Sequence, residues 1–421
     1  MDVHELKTSI AGVRPGMFVS KLDRPWIETP FLLEGILIET NDEIETLRSY
    51  CSYVYVDINK GLSPDPRYVI TDAGVERPQK AEQAKPAKTR PKEGLNEYER
   101  LRKVHYKDAT PFAEELQTAR RIKAKLDLSL SKVLSNLRMG DGLDIVTVKA
   151  GVEEVVSSII RNPSALSLLV QLERSDDYTY GRALSTSVWC AQFGRRLGLE
   201  HKGISELGLG GMLLDIGKVK LPGQLLNKKG SINSEEFALL KQHVDFSVRI
   251  LAKTQAVPAE VLRMVATHHE RADGSGYPDR LINENIPVFG RIAGIVDTYD
   301  AMTARRPYTD TLHTPHDAIV ELYKGRDTLF QPELIEQFIQ TVGLYPAGSL
   351  IEFETGEVGV VIAVNEMKRL HPIVMLILGS DKKPLMEFAT TNLALQSEDG
   401  PKVAKALPRG AYGIRMEELF L

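Results

Sequence analysis

His268-His269-Glu270-Arg271-Ala272-Asp273-Gly274-Ser275-Gly276-Tyr277-Pro278 closes an apolar helical run, Val261, Leu262 and Val265, and breaks at once into a glycine-rich turn. Two imidazoles therefore stand beside a backbone that is free to bend. Neutral imidazole is the commonest metal ligand, and glycine lets backbone amides approach a bound anion closely, so the stretch suits a metal next to a phosphate. Histidine occurs only nine times in 421 residues, which makes an adjacent pair informative. The plainer alternative is a helix C-terminus that carries histidines against the negative end of its dipole and is closed by a glycine turn.

Neighbouring segments decide between these. Leu213-Leu214-Asp215-Ile216-Gly217-Lys218 is an apolar helix ending in a carboxylate and a Gly-Lys step, and Ile295-Val296-Asp297-Thr298-Tyr299-Asp300-Ala301 sets another carboxylate in an apolar stripe. Between them His243 falls on an amphipathic segment, Lys241 to Thr254, whose Val244, Val248 and Leu251 share one face. Asp and Lys are almost never buried without a partner or a metal, so carboxylates on several apolar faces imply a shared polar centre.

This series, with Ile286-Pro287, Arg291-Ile292, Met302-Thr303 and Arg306-Pro307-Tyr308, resembles the HD-GYP family in order and spacing over about 130 residues. The resemblance implies an all-helical HD-type domain that hydrolyses the bacterial second messenger cyclic di-GMP with two or three metal ions. It further implies that Asp215 bridges two metals, that His243, His268 and His269 ligate one of them, and that Asp297 ligates the other. Lys218 and Arg306 would meet substrate phosphate, and Tyr277, in the Gly276-Tyr277-Pro278 turn, the guanine or ribose end. The stretch Leu22 to Phe31, with Trp26, resembles an N-terminal domain of unknown function often fused to such domains.

The departures bear on chemistry. The residue before Asp215 should be the histidine of the family's His-Asp pair, and it is Leu214; a second histidine is expected where Arg182 follows Tyr178-Thr179-Tyr180-Gly181. Tyr178 stands where trinuclear relatives have Glu, and Thr309 where a basic residue is usual. Two-metal phosphodiester hydrolysis uses one ion to activate water and another to neutralise charge across the phosphorus, and each ion needs about three protein ligands. On the Arg182 and Leu214 side only Asp215 and Asp297 remain. A guanidinium there could satisfy both carboxylates without metal. One ion, Fe, Mn or Zn, held by Asp215 and three histidines is the expected cofactor.

The remaining sequence sets the frame. With 43% hydrophobic and 26% charged residues the chain can bury a sizeable core, and a formal charge of -4 argues against a general nucleic-acid binder. Cys51 and Cys190 form no CxxC spacing, so neither a disulfide framework nor a thiolate site follows. The absence of a leader or a spanning apolar run points to the cytoplasm.

Short strand-like runs, Met17–Ser20, Phe31–Leu33, Ile36–Ile38 and Val54–Asp57, with a helix Asn41 to Tyr50, predict a β-rich domain over 1–71. The Pro-, Lys-, Glu- and Ala-rich stretch 72–95 predicts a flexible linker. Helices are predicted from Glu97 to Met139, where Leu126, Leu130, Val133 and Leu137 form a stripe that serves either the helical domain or a homodimer. The helical segment and HD-GYP domain take 96–345. A β-rich appendage over 346–421 is predicted from Ser349–Phe353, Val358–Val364 and Ile373–Leu378. The fold class is mainly α, with small α+β and β-rich attachments.

Three functions remain open on these grounds. The first is a cyclic di-GMP signalling protein with impaired or absent hydrolysis, able to dock a diguanylate cyclase domain through Gly276-Tyr277-Pro278. The second is an active phosphodiesterase yielding pGpG or GMP; the third is another HD-type hydrolysis, as of a nucleotide monophosphate.

Overall fold

The computed structural model describes residues 5–24, 35–38, 41–70, 103–172, 178–228, 230–304, 313–365, 371–396 and 400–416. Trp26, Phe31–Leu33, the stretch 72–95 and Arg306-Pro307-Tyr308 with Thr309 lie outside them. Two units are present, one within the first 70 residues and one from residue 103 onward.

The first unit is an antiparallel sheet of β1 (Glu5–Ser9), β2 (Phe18–Leu22), β3 (Ile36–Leu37) and β4 (Tyr53–Asp57) in the order β1-β4-β2-β3, with α1 (Asn41–Tyr50) between β3 and β4. Alternation sets its faces: Val54 and Val56 are buried while Tyr53 and Tyr55 are half-buried. Met17, Val19, Ile38 and Leu47 complete the core.

The second unit is a helical bundle. Helix α2 (Phe112–Met139) accounts for the later part of the helical stretch expected from Glu97 to Met139. Pro111 carries no N–H and restricts Thr110 before it, so the helix cannot extend upstream. Residues 103–109 instead run without helix, and the amides of Lys103 and Val104 donate to the Gly198 carbonyl. Residues 97–102 lie outside the described residues. The stripe Leu126, Leu130, Val133 and Leu137 is buried within the chain, with Leu126 against Gly151 of α3 (Ile145–Arg161). Glu115, at the start of α2, is buried and held by Arg161 at 2.7 and 2.8 Å and by the Ser158 hydroxyl at 2.7 Å, the pairing a buried charge needs.

Helices α4 (Pro163–Leu172), α5 (Tyr178–Leu197) and α6 (His201–Leu213) follow. Gly211 lets α6 close on α5, since a Cβ there would meet the Thr186 carbonyl oxygen at 2.8 Å. After the short α7 (Gly223–Leu226) come α8 (Ser234–Lys241) and α9 (His243–Ala252), the latter falling within the amphipathic segment read from Lys241 to Thr254. The break at Gln242 turns the imidazole fully inward, and His243 is 2% exposed. Then come α10 (Ala259–Thr267), α11 (Val288–Thr303), α12 (Pro315–Lys324) and α13 (Pro332–Val342). An aromatic chain, Trp189 to Tyr299 to Phe338 to Phe193, with centroids 5.3–5.5 Å apart, locks α5, α11 and α13 together.

The chain ends in an antiparallel sheet of β5 (Leu350–Phe353), β6 (Val358–Ala363), β7 (Ile373–Leu378), β8 (Thr390–Asn392) and β9 (Val403–Leu407), ordered β8-β7-β6-β5-β9. It packs on α4 through Leu168 and Leu172, and Arg409 donates to the Gln171 and Leu172 carbonyls. The fold is mainly α, a helical bundle with small α+β and β-rich attachments, as the patterning indicates. The strands β1, β8 and β9 are additions to the sequence reading.

Candidate metal centre

Asp215 follows the end of α6 and opens a 3-10 turn, Ile216–Lys220. Gly217 in that turn is indispensable: a Cβ would lie 2.1 Å from the His243 carbonyl oxygen and 2.4 Å from the Ser247 amide. Glycine therefore lets the start of α9 press onto the turn, where the Gly217 amide donates to Ser247 Oγ (2.8 Å) and Ser247 Oγ donates to the Leu214 carbonyl (3.0 Å). This contact carries His243 to Asp215, Nε2 to Oδ1 3.3 Å. Helix α10 delivers His268 and His269 just past its last turn.

The four side chains converge, their ligand-type atoms lying within 4.8 Å of one another. His243 Nδ1 and His268 Nδ1 each donate to a carbonyl in the preceding turn, Leu240 and Val265, at 2.7 Å. The donor fixes the tautomer and leaves each Nε2 lone pair facing inward. Burial lowers the pKa of all three histidines, that of His243 to about 4, so each is neutral and able to ligate near pH 7. Burial pushes the Asp215 carboxyl up, but Lys218, Arg182 and His243 together hold it well below the usual carboxylate range. Two buried atoms, Asp215 Oδ1 and His268 Nε2, have no hydrogen-bond partner. Buried polar atoms are rarely left so, and a divalent cation among these four donors satisfies both. The residues fit a metal ion.

The adjoining space is organised differently. Arg182, 7% exposed on α5, donates through Nη2 to Asp297 Oδ1 (2.5 Å), through Nε to Asp300 Oδ2 (3.2 Å) and through Nη1 to Asp215 Oδ2 (3.4 Å). Burial raises the Asp297 pKa, and Arg182 outweighs it, holding the carboxyl low. Lys218 Nζ reaches Asp215 Oδ2 at 2.6 Å. Leu214 is 2% exposed and fills volume. Asp297 is thus engaged by the guanidinium and stands outside the four-donor group. All three carboxylates here are paired with one guanidinium.

Asp300 carried no role in the sequence reading. It is fully buried and also accepts from the hydroxyls of Ser185 (2.6 Å) and Thr186 (3.3 Å). Its spacing of three from Asp297 on one helix face was the available signal. Glu270 was likewise without a role; its carboxylate accepts from the amides of Asp279 (2.7 Å) and Leu281 (2.9 Å) and so moors the loop 271–281. In that loop Gly276 packs backbone on backbone, a Cβ meeting the Arg271 amide at 2.4 Å. The Tyr277 ring stacks on His269, centroids 4.5 Å apart at 24°, and Pro278 is exposed. Arg306 lies outside the described residues, and the side chain of Tyr178 is likewise not described.

A carboxylate at a helix end and three histidines from two further helices, gathered on one ionic centre in a helical bundle, define an HD-domain protein. Residues 164–334 match the HD domain family, which is metal-dependent, and residues 5–148 match a domain of unknown function (DUF3391). The chain belongs to the HD-GYP type of the cyclic di-GMP phosphodiesterase family. It is 30% identical over 376 residues to a cyclic di-GMP phosphodiesterase of Pseudomonas aeruginosa, covering 89% of this chain and 85% of that one. It is 33% identical over 177 residues to a cyclic di-GMP phosphodiesterase of Thermotoga maritima, 42% of this chain and 48% of the relative. A 3'3'-cGAMP-specific phosphodiesterase of Vibrio cholerae is 34% identical over 155 residues, 37% of this chain and 30% of the relative.

Proposed function

We propose that the chain is a cyclic di-GMP signalling protein that binds the nucleotide at a single-ion HD-GYP site and hydrolyses it poorly or not at all. One observation carries the reading: the Arg182 guanidinium pairs with Asp297, Asp300 and Asp215 beside a four-donor cluster. Asp215, His243, His268 and His269 hold one Fe, Mn or Zn ion, which supplies Lewis acidity toward a phosphate oxygen when bound. Lys218 faces a substrate phosphate, Arg306 pairs with another phosphate oxygen, and Gly276, Tyr277 and Pro278 line the nucleotide. With Arg182 and Lys218 against three carboxylates, the neutral imidazoles leave the protein one charge negative, so a divalent ion turns the site net positive and attractive to a phosphodiester. A positive site binds; in-line displacement also needs charge stabilisation at the leaving oxygen, where a fixed guanidinium tied to three carboxylates has little left to offer.

In this reading residues 1–71 form an accessory domain joined by a linker, 72–95, to the helical domain, 96–345, with 346–421 as an appendage. A diguanylate cyclase domain docking at Gly276-Tyr277-Pro278, a homodimer and a cytoplasmic setting complete the proposal. Among the described residues no helix is long and apolar enough to cross a membrane.

The relatives named as phosphodiesterases favour a second reading, slow one-ion turnover to pGpG or GMP. Turnover separates the two, while metal analysis tests the single-ion site they share, with about one ion per chain expected and two or more under full two-metal chemistry. Cyclic di-GMP turnover with added Mn or Fe, measured beside Asp215→Ala, is expected to be near background in both proteins. Robust turnover that Asp215→Ala abolishes overturns the impairment.

A further inference from the structure

The pair His268-His269 is followed by two charged residues that anchor in opposite directions. Glu270 turns to the loop amides of Asp279 and Leu281, and Arg271 turns back to the bundle. Its Nη1 donates to two main-chain carbonyls, that of His268 at 3.1 Å and that of Glu270 at 2.8 Å, while Nη2 donates to the Thr298 hydroxyl at 3.3 Å. The guanidinium rests over the buried Phe330 ring, 5.1 Å from its centroid. Thr298 in turn donates to the Gly294 carbonyl at 2.7 Å, which fixes the far end of this clamp on α11. Gly294 admits it: a Cβ there would lie 2.9 Å from the His268 carbonyl oxygen and 3.3 Å from Arg271 Nη1.

A helix end leaves its last carbonyls unpaired, and a basic side chain beside them commonly does no more than cap the helix and offset its dipole. Two features go beyond that role. The capped residue, His268, is itself a candidate donor, and its ring is tied to the same turn by Nδ1 donating to the Val265 carbonyl at 2.7 Å. A displacement of its backbone is therefore carried to Nε2, the buried atom without a partner. The far end of the clamp, Thr298, is the neighbour of Asp297, which Arg182 binds. We propose that Arg271 is a positioning residue of the metal centre: it ties the end of α10 to α11 and holds the His268-His269 pair at the depth where both imidazoles meet Asp215 and His243. The inference rests on the single-ion reading above and adds the residue that shapes the donor geometry. The planar fork is what matters, because its separate nitrogens reach acceptors on two segments at once. A lysine keeps the charge but donates from a single nitrogen and cannot span them.

The test is titration of the metal-free full chain with Co(II), followed through the visible d–d bands, whose energy and intensity report coordination geometry. The proteins compared are the parent, Arg271→Lys, Arg271→Gln and Thr298→Val, with melting curves of the metal-free forms to check folding. Both Arg271 variants are expected to weaken Co binding by about 10–100-fold, the usual cost of losing a partner behind a metal ligand. They should also alter the bands at saturation, which a loss of stability alone would leave unchanged. Thr298→Val removes one acceptor and should act in the same direction by less. Arg271→Lys with the affinity and spectrum of the parent overturns the clamp, since charge at a helix end then suffices. An unchanged spectrum at saturation, whatever the affinity, also overturns it and leaves the single-ion reading standing. If the Arg271 variants do not fold, the Thr298→Val spectrum decides by the same criterion. A parent that binds no Co overturns both.

Discussion

Arg182 holds three buried carboxylates at once, and its removal leaves Asp297 and Asp300 charged in the core. Breaking a buried ion pair on one side typically destabilises by about 3–5 kcal/mol, so Arg182→Ala should lose at least about 3 kcal/mol in urea unfolding. Arg182→His with Leu214→His replaces the guanidinium by two neutral ligands next to Asp215 and Asp297. Metal analysis should then rise from about one to about two ions per chain, with a gain in cyclic di-GMP turnover. The histidines give a pH dependence of definite sign. Their folded pKa values lie below the ordinary 6.5, that of His243 at about 4, so the unfolded chain binds more protons between these limits. In metal-free protein, stability should increase as pH rises from about 4 to 6.5 and level off above; denaturant midpoints across that range measure it. The residue types in the His268 to Pro278 stretch were legible from their spacing alone. The reach of one arginine to three acids was not, because it depends on a rotamer set by the closeness of α5 to α11 and on Asp300, whose partners are 115 and 118 residues away.

At the scale of elements, Gly217 joins the turn after α6 to the start of α9 with no room for a methyl. Gly217→Ala should push His243 away from Asp215, destabilise by about 1–3 kcal/mol as overpacking does, and lower the amount of metal that co-purifies. A stability loss with full metal content would show that the turn is not what sets the donor spacing. Sequence periodicity located α10, α11 and the strands β5 to β7 because each keeps one apolar pattern from end to end. It failed at one boundary for an identifiable reason: Pro111 stops α2 where the apolar residues upstream still repeat.

Across the whole molecule, the four candidate metal donors come from residues 215 to 269 and lie wholly in the helical unit. A ligand that binds only the folded state stabilises it by mass action, so adding Mn to metal-free protein should slow amide exchange in the segments 201–303 and leave residues 5–70 unchanged, as mass-spectrometric exchange can resolve. The mainly helical class and the two β-containing attachments were readable from where period 3.6 gives way to period 2; the order of strands within each sheet was not, since nothing local specifies which neighbour β9 takes. The guanidinium among the three acids has one more effect, on the routes open to this lineage. Exchanging Arg182 alone for a neutral residue strands negative charge in the interior, while exchanging Leu214 alone puts a polar ring into a greasy slot with no ion to meet it. Each single step is harmful and only the pair is tolerable, so the two positions can change only in concert.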